Sequence, residues 1–117
     1  MEQVLWPDAS LEQASVDYDA VVLRIRESTG QVKSVRCEGY IAFELSGFWD
    51  EVIVESAQLL SQHPAIERAV SSIAGRLGKG WTDSGNEQRN TRRWMALVVH
   101  LSDGCSIEVV AANFTVA

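Results

Sequence analysis

The chain has 117 residues, hydrophobic and charged fractions of 46% and 22%, and a net charge of −6. That length is one domain able to bury its own core without metals or disulfides, and the composition excludes a disordered chain. No apolar run approaches the roughly 18 residues of a membrane span, so no membrane partner is expected.

The start, "MEQVLWPDAS", has no basic leader region and no long apolar stretch, which predicts a cytoplasmic chain without a secretory signal. Residues 1–16 read as a polar tail that docks through Trp6. Pro7 interrupts regular structure, and Ser10 with Gln13 forms at most one capped helical turn. Residues 17–117 then form a single α+β domain.

In "DYDAVVLRIRES", Val21, Leu23 and Ile25 alternate with Val22, Arg24 and Arg26, a half-buried strand. "STGQ" is a turn. "VKSVRCEGYIAFEL" has the cleanest period of two in the chain. Val35, Cys37, Gly39, Ile41, Phe43 and Leu45 take one face, and Arg36, Glu38, Tyr40, Ala42 and Glu44 the other. The two segments predict an antiparallel hairpin.

Residues 49–61 are ambiguous, because "VIV" is β-branched. The spacing of Trp49, Val52, Ile53, Ser56 and Leu60 favours a helix, with Asp50 as its cap. Pro64 suits the first position of a second helix, whose stripe is Ile66, Val70, Ile73 and Leu77. Gly78 suits its stop. Residues 78–92 read as a flexible basic loop rich in Gly, Ser, Asn and Thr.

Next, Met95, Leu97, Val99 and Leu101 alternate with Trp94, Ala96, Val98 and His100. Asp103-Gly104 marks a hairpin turn before the last strand, and the weak alternation over 110–113 suggests a bulge there. The predicted architecture is ββ-α(α)-ββ. It is a four-stranded antiparallel sheet with one or two helices packed on its apolar face. Ile41, Phe43, Ile66, Val70, Ile73, Leu97 and Val99 are expected to be buried together.

The search for chemistry finds no complete signature. "GRLGKGW" fails as a phosphate loop, because Gly80 stands where a hydroxyl is needed and the glycines follow a helix. There is no HxH, HExxH or CxxC, so neither metal nor cofactor is expected. Cys37 and Cys105 read as two buried thiols. The basic loop offers Trp81 for stacking, but the acidic remainder argues against nucleic acid.

Charge is unevenly placed. Residues 1–75 carry twelve acids and five bases, while residues 76–117 carry four acids and five bases. An acidic body of this kind favours a basic protein partner. The leading reading is a non-catalytic binding protein, with a homodimer as the other partner considered. Its partner-binding residues would be Trp49, Asp50, Glu51, Glu55 and Trp81. The alternative is a small enzyme or ligand-binding domain on the second sheet face, using Tyr40, Glu38, Trp94, His100 and Glu108. In size and charge, though in no motif, the chain resembles small bacterial immunity and inhibitor proteins.

Overall fold

The computed structural model describes residues 3–47, 53–77 and 94–117. Among them are eight strands and one helix: β1 (Ser10–Val16), β2 (Ala20–Arg26), β3 (Val32–Glu38), β4 (Ala42–Ser46), β5 (Val54–Leu60), α1 (Pro64–Leu77), β6 (Met95–Leu101), β7 (Ser106–Ala111) and β8 (Asn113–Val116). They form two antiparallel four-stranded sheets, ordered β1-β2-β3-β8 and β4-β7-β6-β5. The expected single sheet is therefore corrected to two, although antiparallel sheet with a packed helix stands.

The extra sheet arises because two strands turn a corner. The predicted strand over 32–45 splits at Gly39 into β3 and β4, which lie in different sheets. Its partner splits at Ala112 into β7 and β8, within the stretch where alternation weakens. Glu38 pairs with Asn113 and Ala42 with Val110, so three residues oppose two at the bend. One extra residue bends a strand and tightens its twist. Gly39 has φ 64, a left-handed conformation that an L side chain resists.

The pairing nearly closes on itself. β1 pairs β2, and β2 pairs β3; the bent β3–β4 strand pairs the bent β7–β8 strand. β7 then pairs β6, and β6 pairs β5. Among the described residues, the pairing between β1 and the start of β5 is the isolated Ser10–Ile53 bridge. The result is a flattened barrel with one weak seam.

The main core lies between the sheets. Leu11, Val21, Leu23, Ile25, Val35 and Cys37 come from one, and Leu97, Val99, Leu101, Ile107 and Val109 from the other. A smaller cluster lies on the outer face of the second sheet. There Ala65 and Ala69 of α1 meet Trp94, Ala96, Val98 and Val110. β6 is thus covered on both sides, and within it only His100 is exposed.

Several expectations change with this arrangement. Residues 54–60 are strand β5, not helix. Ser10–Val16, read as part of a tail, is strand β1 paired with β2. The helix covers the face of Trp94, Ala96 and Val98, not that of Leu97 and Val99. The expected core group is accordingly divided. Leu97 and Val99 belong to the inner core with half-buried Phe43, whereas Ile41, Ile66 and Val70 pack on the outer cluster. Ile73 on α1 is half-buried.

Both cysteines are buried and carry free thiols. Burial pushes the Cys37 thiol up to about 12. Cys105 is raised as well, by burial first and then by the charge of Asp103. The thiolate is the reactive form. Iodoacetamide should therefore label neither cysteine in the native protein at neutral pH and both after unfolding. Native labelling of Cys37 would show that the inner core opens to solvent.

Candidate binding surfaces

The structure divides the candidate residues among several places. Trp49, Asp50, Glu51 and Trp81, together with the basic loop at 78–92, lie outside the described residues. Glu55 is described and exposed on β5. It is the extra residue where the β5–β6 register shifts between Val54 and Ser56. Glu55 therefore lies in a strand and not in the helix expected over 49–61.

The alternative set does not form one face. Tyr40 and Glu38 sit at the corner of the first sheet. Trp94, His100 and Glu108 sit on the outer face of the second. Trp94 is only 7% exposed and belongs to the cluster under α1. Across that face the register sets Ser46, Ser106, His100 and Ser56 in one row, and Glu44, Glu108, Val98 and Gln58 in the next.

Glu108 has its partners on α1 and just before it. Arg68 Nη2 lies 3.3 Å from Glu108 Oε1 and 3.7 Å from Glu44. His63 Nε2 lies 3.8 Å from Glu108 Oε2. The Ala65 N–H donates to His63 Nδ1 at 3.1 Å, so the imidazole caps the first turn of α1. In the neutral ring the proton then sits on Nε2, toward Glu108. This network clamps the helix to β4 and β7. Ion pairs this exposed contribute about 0–1 kcal/mol each. Among the described residues, no three His, Cys, Asp or Glu side chains are grouped to hold a metal ion.

A different surface stands out at the β1–β2 hairpin tip, Asp17-Tyr18-Asp19. Tyr18 is 96% exposed and neighbouring Val16 is 53% exposed. The tip is nonetheless well held. The Asp17 N–H donates to Ala20 O at 2.8 Å, and the Gly39 N–H to Asp19 O at 2.9 Å. The Tyr40 hydroxyl donates to Asp17 O at 2.7 Å. The Tyr18 N–H donates to Asp17 Oδ1 at 2.7 Å. The tip is thus fastened to the corner where β3 becomes β4. Tyr40 therefore serves as a brace between corner and tip.

The charges around the fold show which acids are already compensated. Arg24 and Arg26 pair with Glu12, Lys33 with Glu27, Arg36 with Glu38, and Arg68 with Glu108 and Glu44. Among the described residues, no basic side chain lies within ion-pair distance of Asp8, Asp17, Asp19, Glu55 or Glu67. Two of those five acids flank Tyr18. Composition reveals the excess of acid, but only the pairings locate it. The one sequence signal for the tip is an aromatic between two acids in a turn.

No protein-family model, no curated protein and no solved structure matches the chain. Among the described residues, no helix is long and apolar enough to cross a membrane.

Proposed function

We propose that this chain is a small non-catalytic binding protein of the cytoplasm that engages a basic protein partner, as immunity and inhibitor proteins do. The observation that supports this is the hairpin tip. A nearly fully exposed tyrosine stands between two acids that have no counter-charge within ion-pair distance among the described residues, on a turn braced against the body. Tyrosine is enriched among the residues that dominate binding energy. Its ring face attracts arginine or lysine, and flanking carboxylates speed the approach of a positive surface. A braced tip loses little conformational freedom on binding, so more of the contact energy is retained.

The test begins with the protein captured from the native cell and measures its purified complex. Tyr18→Ala is expected to weaken binding by about 2 kcal/mol or more, roughly thirtyfold. Asp17→Asn with Asp19→Asn is expected to slow association at low salt and flatten its salt dependence. Both variants should unfold within about 0.5 kcal/mol of the parent, as exposed substitutions do. Unchanged affinity in Tyr18→Ala would remove the tip from the interface. Capture of further copies of the chain alone would replace the basic partner by a homodimer.

A further inference from the structure

At the other end of β2 from the tip, the chain closes the molecule in a different way. Glu27 is the one charged residue counted in the buried set of the described residues. Its carboxylate accepts from the Leu5 N–H at 2.8 Å and lies 3.0 Å from Lys33 Nζ on β3. The same Lys33 ammonium donates to Gln3 O. Val4 and Trp6 are 4% and 6% exposed and pack into the inner core, while Leu5 between them faces out. Residues 3–9 thus lie across the open end of the flattened barrel, inserting alternate side chains.

The same segment spans the weak seam. The Asp8 N–H donates to Val54 O at 3.3 Å, and the Val54 N–H to Ala9 O at 2.8 Å. The segment turns back on itself through a bond from the Ala9 N–H to Trp6 O at 3.0 Å, with Asp8 at φ 62. A left-handed non-glycine residue persists only where its surroundings hold it. None of residues 3–9 takes part in the strand pairing of either sheet.

We propose that Gln3–Ala9 is a strap, held over the barrel end by the buried Glu27–Lys33 pair, and that removing the Glu27 charge releases it while both sheets stay folded. Two of its anchors, Leu5 N–H and Lys33, converge on one carboxylate. A buried carboxylate that loses its charge loses most of the attraction for both. Lys33 is the one charged side chain within ion-pair distance of Glu27 among the described residues. Its release would bare the apolar barrel end and the facing edges of β1 and β5. The Leu5 N–H, and after it Lys33, hold the Glu27 carboxyl below the ordinary glutamate range against the opposing pull of burial. The group with the lowered folded-state value stabilises the docked strap above the ordinary glutamate range. That stabilisation is withdrawn as pH falls through the lowered value.

Hydrogen exchange tests the strap against the sheets in the full chain. In Glu27→Gln at neutral pH, the amides of Leu5, Asp8 and Ala9 are expected to lose about tenfold or more of their protection. Those of Leu97–Val99 in β6 should be unchanged. Parallel loss in strap and β6 would show one cooperative unit and overturn the proposal, as would full protection of the strap. If Glu27→Gln does not fold, the parent protein is titrated with acid, correcting for intrinsic exchange. Strap amides must then open at higher pH than β6, and simultaneous opening would overturn the proposal.

Discussion

Truncation of Trp94 to alanine is expected to lower the free energy of unfolding by about 3–5 kcal/mol, the cost of removing a large buried aromatic. Its ring belongs to the outer cluster with Ala96, Val98 and Val110, under Ala65 and Ala69 of α1. The cavity would sit between helix and sheet, where small alanines leave few side chains able to fill it. A denaturant titration measures the effect, and the slope should stay that of the parent. If Trp94 instead lined an open ligand face, its removal would change stability by less than about 1 kcal/mol. The measurement thus separates a packed helix interface from the ligand surface that alternation on β6 suggests.

Leu97→Ala is expected to cost about 2–5 kcal/mol for the opposite reason. Leu97 is fully buried on the other side of the same strand, in the core between the sheets. Its neighbours in the register are Leu59 on β5 and Val109 on β7. Leu97 and Trp94 belong to different clusters, so their costs should nearly add. A coupling above about 0.5 kcal/mol would show that strain passes through the β6 backbone from one layer to the other.

The legible parts of the fold are those whose alternation is unbroken. β2, β3, β6 and the helix beginning at Pro64 follow from period and punctuation alone. β1 and β5 do not, and the cause is the same in both. Glu12 is an extra residue between Leu11 and Gln13, and Glu55 between Val54 and Ser56. An extra residue shifts the phase, so the inward side chains become Leu11 and Ala14 in β1. In β5 they become Val54, Ala57 and Leu59. The helix reading of 49–61 draws on Ser56 and Leu60, which the register places on the face opposite Val54, Ala57 and Leu59. The corner at Gly39 was hidden differently. Alternation runs smoothly through it, and nothing local says that the strand changes sheets.

The candidate site was legible only in outline. Net charge shows that acid is in excess, but not which acids are compensated. Glu38, Glu44 and Glu108 are neutralised by arginines that are distant in sequence or on another element, or sit two residues away on the same strand. Among the described residues, Asp17 and Asp19 emerge by subtraction. His100 and Glu108 share an outer face, yet Glu108 is engaged by Arg68 and His63, a pairing that needs the position of α1.

The bent strand pair that joins the sheets has a bearing on how the molecule is made. Val35 pairs with Val116, and Cys37 with Phe114, so β3 is completed by the last of the described strands to be synthesised. During translation β1, β2 and β3 can form a three-stranded meander, but β3 keeps a bare edge until residues 113–116 leave the ribosome. Contacts so distant in sequence are slow to form, and uncovered strand edges invite association with other chains. The first sheet is therefore finished only after synthesis has passed through both, and the interval in which β3 waits is when a nascent chain is most exposed to aggregation.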